Sequence, residues 1–226
     1  MAADRQKGGS VRERPTLTRD VIVAQAVELA DDEGMAALSM RALATRLGVE
    51  AMSLYHHVAS KDVLLDAMID VVFTEIHLPR VGRPWRAEMR ERAVSARAAL
   101  LRHRWAVGQM DARRQPGPAS IAHHDAVLGC LLSDGFDMRS AGTAFALLDA
   151  HLYGFVLQEV ALPFESEADL AELVETIISP EVRTAFPHFS AFAQGQALQP
   201  GYTFGREFEP TLDLTLDAAG RLRTDG

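Results

Sequence analysis

The sequence has little cysteine, tryptophan or tyrosine, with one cysteine, two tryptophans and three tyrosines among 226 residues. A single cysteine excludes an internal disulfide, and we expect Cys130, which lies in an apolar run, to be a buried thiol in a reducing cytoplasm. No apolar run reaches the roughly 18 residues that a membrane-spanning helix needs, so we predict no membrane association. Residues 1–15 are polar and charged, which argues against a secretory leader.

Motifs for catalysis and for metal binding are also missing. The sequence contains no glycine-rich phosphate loop and no metalloprotease helix motif. His123 and His124 are adjacent, so on a helix they point in different directions and do not form one coordination face. We therefore predict no enzymatic activity, no metal site and no cofactor.

The net charge of −8 argues against a non-specific binder of polyanions, but it leaves a compact DNA-reading surface open. Within residues 1–19, five basic side chains stand against two acidic ones, which gives a local basic footprint. We interpret residues 1–15 as a flexible basic arm that ends at Pro15.

The sequence is rich in helical periodicity and has no alternating strand pattern, so we predict an all-α fold. Thr18, Ser39 and Ser60 each precede an apolar periodic run and are predicted N-caps of three helices. A short helix over about 50–58 lies between the last two. Later helices are predicted over 85–102, 119–133, 138–160, 168–178 and about 202–222, where Pro210 either kinks the last helix or marks its start. We predict a poorly ordered connection over 179–201.

The most informative segment is residues 38–58, with the sequence LSMRALATRLGVEAMSLYHHV. It places two short helices around a Gly48-Val49 turn, with the small Ala44 at their crossing and Leu54 filling the junction. This pattern is typical of a helix-turn-helix, whose second helix enters the major groove while the first lies across the phosphates. The spacing alone also fits a helical hairpin whose polar residues are merely solvated.

A wider string favours the DNA-binding interpretation. It runs from Ala26 and Gly34 through residues 54–58 (LYHHV) to Lys61, and it resembles the N-terminal domain of the TetR family of repressors over residues 16–68. The C-terminal region resembles the C-terminal domain of the tetracycline repressors in that family, on the strength of Trp85, residues 99–104, Gly135-Phe136, residues 154–157 and Phe204-Gly205.

The resemblance implies an architecture and a function. Residues 16–68 would be a helix-turn-helix DNA-binding domain, and residues 69–226 an effector-binding and dimerisation domain. Two chains would pair through a four-helix bundle from the helices near 138–160 and 202–222. The expected function is a DNA-binding transcriptional repressor, released from a palindromic double-stranded operator by a small-molecule effector. The alternative is a helical small-molecule-binding protein or enzyme that has lost DNA binding; the intact Arg41, Tyr55 and Lys61 favour the repressor.

The family's DNA contacts carry over to particular positions of this sequence. Arg41 is expected to reach a guanine edge, Lys61 to bind a phosphate, and Ala51 and Met52 to contact thymine methyl groups. The full set of implied contacts is Ser39, Met40, Arg41, Ala51, Met52, Ser53, Tyr55, His56, His57 and Lys61.

The effector site carries over less completely. His77 matches a drug-contacting histidine of the tetracycline repressors, but Met110 stands where those proteins have a metal-chelating histidine. We therefore expect an apolar or aromatic effector rather than magnesium–tetracycline. The residues expected to line the pocket are His77, Leu101, Trp105, Met110, Phe145, Leu148 and His151.

Overall fold

The computed structural model describes residues 16–110, 115–164 and 166–223, and every regular element in those ranges is helical. The all-α prediction is confirmed, whereas the predicted arm over 1–15 lies outside the described residues. The N-terminal helices are α1 (Arg19–Glu33), α2 (Met40–Leu47), α3 (Ala51–Tyr55) and α4 (Lys61–Thr74). The remaining helices are α5 (Trp85–Arg102), α6 (Pro118–Ser133), α7 (Met138–Ala161), α8 (Glu167–Ile177), α9 (Pro180–Ala185), α10 (Pro187–Phe192) and α11 (Phe208–Gly220).

The predicted helix starts are confirmed by hydrogen bonds from backbone amides to the capping side chains. The Thr18 hydroxyl accepts from the amide of Val21 at 3.3 Å. Ser39 caps α2 in the same way at 3.1 Å, and Ser60 caps α4 at 3.2 Å. Each cap satisfies an amide that has no partner inside its helix, which fixes where the helix begins.

Two hydrophobic cores share one helix. The first core joins α1 to α4 through fully buried residues such as Ile22, Leu43 and Leu54. The second core includes residues of α4 from Ile69 onward, together with α5, α6, α7 and α11. Because α4 contributes to both cores, a displacement of α4 is felt in both. The predicted division between residues 68 and 69 falls within α4 and remains a prediction.

The start of α6 is fastened to α4 by a carboxylate. Asp70 of α4 accepts a hydrogen bond from the amide of Ser120 at 2.9 Å, which satisfies a free amide in the first turn of α6. Gly117, just before α6, makes room for this contact, because a β-carbon there would lie 2.3 Å from Cγ of Asp70. α4 and α6 are thus linked through one polar contact that depends on a glycine.

We expect Gly117→Ala to displace the Asp70 carboxylate from Ser120 and to lower the free energy of unfolding by about 1 kcal/mol, the cost of losing a helix cap. Urea unfolding of this variant and of Asp70→Ala measures the effect. In the Asp70→Ala background the glycine substitution should add little, since the clashing group is already gone. An equal loss in both backgrounds would contradict this account of Gly117.

The region after α8 differs from its prediction. Residues 179–201 contain α9, α10 and a π-helical turn at Ala193–Ala197, so the predicted poorly ordered connection is wrong. Pro180 and Pro187 occupy first-turn positions, where a missing amide costs no hydrogen bond, and Ser179 caps α9. These prolines start helices instead of interrupting them.

Two other predicted helices are shorter than expected. The last one divides into a 3-10 turn at Phe204–Glu207 and α11, with Pro210 in the first turn of α11. Of the two roles considered for Pro210, marking the helix start is the correct one. α3 ends at Tyr55, and the amides of His57 and Val58 both bond to the carbonyl of Leu54 in a closing turn.

α7 is the longest helix, and one of its faces is apolar yet exposed. It has 24 residues and, by length and composition alone, could cross a membrane. It packs against α5, α6 and α11, as apolar core helices do. On another face, Leu147, Ala150 and Leu157 are exposed at helical spacing, and Leu214 of the neighbouring α11 is 68% exposed.

Candidate DNA-binding surface and effector region

The turn between α2 and α3 is held by backbone hydrogen bonds. Gly48 ends α2 in the left-handed conformation (φ 68°, ψ 35°), where a β-carbon is unfavourable. The amide of Val49 donates to the carbonyl of Ala44 at 3.0 Å, so the chain reverses tightly. Leu54, 0% exposed, anchors α3 against the first core. The pair of helices therefore has the helix-turn-helix arrangement that the sequence predicted.

The exposed side of α3 carries polar and apolar groups but little charge. Met52 is 70% exposed and Tyr55 43% exposed, and His56 and His57 are exposed in the turn that follows. Ala51 and Ser53 are half-buried on either side of Met52. Ser39 and Arg41 are exposed at the start of α2. Together these side chains form an accessible surface at the helix-turn-helix.

Three long side chains near this surface are engaged within the protein. Met40 is buried in the first core, so its side chain does not face solvent as a direct DNA contact would require. The ammonium group of Lys61 donates to the carbonyl of Leu38 at 2.7 Å and ties α4 to the loop before α2. Arg46 is paired with Asp32 at 2.8 Å, which partly neutralises it. Sequence reasoning did not identify these partners, because they come from other elements.

His77 does not stand alone in a pocket but belongs to a buried ionic cluster. Its Nε2 lies 2.8 Å from a carboxylate oxygen of Glu88, which is 3% exposed. Arg80 donates to the same carboxylate through its guanidinium and through its own amide at 3.0 Å. These hydrogen bonds, above all those from the Arg80 side chain, lower the pKa of Glu88 to about 2, although burial opposes them.

His77, Glu88 and Glu91 also bring possible metal-ligating atoms within 4.8 Å of one another. Arg80 and His77 already occupy the oxygens of Glu88, however, and a cation there would have to displace a guanidinium. Among the described residues this cluster is therefore better interpreted as an ionic network that fixes the α4–α5 loop than as a metal centre.

We expect Glu88→Gln to lower the free energy of unfolding by about 2 kcal/mol at neutral pH, since the variant keeps the volume but loses the charge that Arg80 and His77 meet. The folded-state pKa lies below the ordinary value near 4.5, so the stabilisation is present above pH 4.5. It is lost as the pH falls from about 4.5 toward 2. Urea titrations at pH 7 and pH 3 test this, and an equal difference at both would contradict it.

A second set of polar groups lies deep in the second core. His123 is 1% exposed, and within the described structure neither of its ring nitrogens has a hydrogen-bond partner. Burial, followed by repulsion from Arg92, lowers its pKa to about 3, so the ring is neutral. Arg92 donates to Asp149 at 2.6 Å, and its guanidinium carbon lies 5.5 Å from the ring centre of Phe145. Nε of Arg92 also has no hydrogen-bond partner among the described residues. We call Arg92, His123, Phe145 and Asp149 the inner polar cluster.

The structure places the remaining predicted effector residues in the second core or against it. Leu148 and Met110 are buried in the second core, where Phe145 also packs, while His151 stacks on Phe208 of α11 at 5.6 Å. Burial lowers the pKa of His151, and its Nε2 has no partner among the described residues.

Leu101 and Trp105 pack against the second core and also border a crevice. With α1 they line this crevice of about 680 Å³ between the two cores, and the Trp105 indole donates to Asp31 at 2.6 Å. The pocket expected from the sequence remains a prediction, and two of its residues also border this crevice.

Cys130 is fully buried in α6, as predicted. Burial raises the pKa of its thiol to about 11, with a further contribution from the charges of Glu88 and Asp134. At neutral pH the group is a protonated, inert thiol, because the thiolate is the nucleophilic form.

Comparison with known proteins covers both regions of the chain. Residues 22–68 match the family model for bacterial regulatory proteins of the tetR family, and residues 78–218 match the tetracyclin repressor-like C-terminal domain. The second match alone spans more than half of the chain.

Individual relatives agree with the domain models. A helix-turn-helix transcriptional regulator of Saccharopolyspora erythraea is 39% identical over 158 residues, covering 70% of this chain and 67% of the relative. The class C tetracycline repressor of Escherichia coli is 34% identical over 171 residues, covering 74% and 76%. The Streptomyces coelicolor TetR family protein ActR, solved in complex with actinorhodin, superposes with a TM-score of 0.76 at 27% identity, covering 93% of this chain and 99% of ActR. On these matches the chain belongs to the TetR family of bacterial transcriptional regulators.

Proposed function

We propose that this protein is a homodimeric transcriptional repressor that binds a palindromic operator and is released by a small organic effector. The observation that carries the proposal is the combination of two features in one chain. An accessible helix-turn-helix surface around Arg41, Met52 and Tyr55 is joined through α4 to a second core. In that core, Nε of Arg92 and both ring nitrogens of His123 have no partner among the described residues.

The DNA contacts that we propose centre on α3 and the start of α2. Arg41 supplies the charge for a guanine edge, and Met52 supplies an apolar surface for a thymine methyl group. The proposed contacts to phosphates or bases also include Ser39, Ser53, Tyr55, His56 and His57. Lys61 has a second role, since its bond to Leu38 fixes the loop before α2. Met40 is assigned to the core rather than to DNA.

The effector site that we propose is the inner polar cluster. Arg92 offers an Nε–H donor that no described residue engages, and the neutral His123 offers one donor and one acceptor. Phe73, whose ring centre lies 5.4 Å from that of His123, and Phe145 provide aromatic walls. An aromatic molecule that carries a hydroxyl or carbonyl oxygen would hydrogen-bond to Arg92 and His123 and pack against the two phenylalanine rings. We therefore narrow the expected effector from an apolar or aromatic compound to an oxygenated aromatic one. ActR was solved with actinorhodin and a tetracycline repressor with minocycline.

The homodimer that we propose forms through α7 and α11. Their exposed apolar residues, including Leu147, Leu157 and Leu214, are the kind of surface that a permanent interface buries. Two copies would pair these helices into a four-helix bundle and would set the distance between the two α3 helices. A regulator of this kind acts on chromosomal DNA, so the proposed location is the bacterial cytoplasm.

The effector assignment is tested with a panel of hydroxylated aromatic compounds, screened by the rise in melting temperature. We expect a hit to stabilise the wild type and His188→Phe, an exposed control, but not His123→Phe, which cannot hydrogen-bond. Calorimetry should then show weaker binding of the hit in the presence of operator, because the coupling is reciprocal. Equal affinity with and without operator would contradict release.

Tetracycline with magnesium is the complementary negative test. Met110 offers a thioether where the tetracycline repressors have a chelating histidine, and magnesium prefers oxygen ligands. We expect no magnesium-dependent binding of tetracycline and no effect on operator affinity. Magnesium-dependent binding of tetracycline would show that the assignment of the effector pocket is wrong. It would not affect the separate conclusion that the protein binds an operator.

A further inference from the structure

A compact charged cluster joins the two cores at the crevice between them. His103 follows α5, at the second core, and is 6% exposed. Its Nδ1 lies 2.9 and 3.0 Å from the two carboxylate oxygens of Asp31 in α1. Its Nε2 lies 3.1 Å from a carboxylate oxygen of Glu75, which follows α4. One imidazole thus contacts one acid from the DNA-binding region and one from the end of the helix shared by both cores.

The hydrogen bonds that these contacts require determine the protonation state of the His103 ring. An ionised carboxylate only accepts hydrogen bonds, so each nitrogen of His103 must donate one. A neutral imidazole has one N–H group, and its second nitrogen would present a lone pair to a carboxylate. Only the imidazolium satisfies Asp31 and Glu75 together. The complete cluster therefore exists with a proton on each nitrogen.

The surrounding groups complete the charge balance. Arg102 of α5 donates to Glu75, and the Trp105 indole donates to Asp31 at 2.6 Å. Arg104, in the 3-10 turn Arg104–Ala106, is a further charged group that lines the crevice. Burial raises the pKa of Glu75, but hydrogen bonds from Arg102 and His103 outweigh it, and the pKa lies below its ordinary value.

The location gives the cluster its significance. The crevice of about 680 Å³ separates α1 from the end of α5, so the packing between the two cores is open here. Charge-assisted hydrogen bonds are stronger and more directional than apolar contact across a gap. His103 and Trp105, which both bond to Asp31, bridge that gap.

We propose that His103, as an imidazolium, is the coupling residue that fastens α1 of the DNA-binding region to the α4–α5 junction of the effector region. This rests on the proposed function and adds how its two sites communicate. We call the contacts of His103 with Asp31 and Glu75 the latch. When both contacts are made, α1 follows movements at the end of α4. Loss of the proton breaks one of the two carboxylate contacts and with it the polar link from α1 to Glu75, while α1 and α4 still pack together in the first core.

The test is operator affinity as a function of pH for the wild type and His103→Asn, with His188→Asn as an exposed control. The exposed His56 and His57 are present in every variant, so their contribution cancels in the ratio of dissociation constants. We expect His103→Asn to bind roughly five- to ten-fold more weakly than wild type at pH 6. The ratio should be larger at low pH than at high pH, because only the doubly protonated ring donates to both carboxylates, while the control ratio stays at one.

A structural role without coupling would give a ratio that does not change with pH, and this result would overturn the proposal. Asp31→Asn is a second variant for the case that His103→Asn does not fold. In a double-mutant cycle the two substitutions should be non-additive, because they remove the same contact; additive effects would also overturn it.

The latch and the repressor function fail in distinguishable ways. If the wild type binds no operator, the proposed function is wrong, and the latch is then judged by calorimetric unfolding. We expect a single transition for the wild type, and two transitions, or one clearly broadened, for His103→Asn. Identical unfolding profiles would overturn the latch whatever the outcome for DNA.

Discussion

Leu214→Glu should convert the protein to a monomer and weaken operator binding by at least roughly a hundred-fold. Leu214 is 68% exposed on α11, so a charge there is solvated in the single chain and leaves its fold intact. In the proposed dimer the same charge would be buried in an apolar interface without a partner, which costs several kcal/mol. Sedimentation velocity at micromolar concentration and fluorescence anisotropy with operator measure the two effects.

The matched control is Ile121→Glu, which places the same charge at a residue of α6 that is 57% exposed. We expect this variant to remain dimeric and to bind operator like the wild type. A Leu214→Glu protein that still sediments as a dimer, or a wild type that is monomeric, would contradict the α7–α11 interface.

Arg41→Ala should lower operator affinity by about 1–3 kcal/mol for each half-site and relax the preference at one base pair. A dimer that binds two half-sites therefore loses up to about twice that binding free energy. Lys61→Ala should weaken binding to all sequences alike, because Lys61 is expected to meet a phosphate and also fixes the loop before α2 through Leu38. Affinities for a set of operators with single base changes separate the two outcomes.

The control for charge is Arg183→Ala, at an exposed position of α9 outside the DNA-binding region. It removes the same charge and should leave both affinity and preference unchanged. If Arg41→Ala and Lys61→Ala lost sequence preference equally, the division between a base-reading and a phosphate-binding residue would be wrong.

Local signals in the sequence predicted the N-terminal region well because its structure is decided locally. Thr18, Ser39 and Ser60 cap helices through amides three residues ahead, and Gly48 allows the turn by its own backbone conformation. The resemblance to the TetR family over residues 16–68 depended on the same short-range pattern, and the comparisons confirm the family.

The effector region was predicted less completely because its contacts join distant residues. His77 was expected to face a ligand, yet Glu88 and Arg80 surround it. Trp105 was expected to line the effector pocket, and its indole bonds to Asp31, 74 residues away. No local pattern distinguishes a histidine that binds a ligand from one between two carboxylates.

Proline was the other source of error. Pro180 and Pro187 suggested an irregular connection, although each occupies the first turn of a short helix, where proline is favoured. The same residue type breaks a helix interior and begins a helix, and the difference lies in a residue such as Ser179 that supplies a cap. The sequence signal for α9 was therefore present in the serine that precedes the proline.

The most direct test of the account is a footprint of the wild-type protein on the DNA beside its own gene, where repressors of this kind commonly bind. We predict one short protected palindrome, with two half-sites centred about one helical turn or a small multiple apart, as a two-fold dimer requires. Protection should disappear with Leu214→Glu and persist with Ile121→Glu. A single asymmetric site, or equal protection of all sequences, would contradict the account.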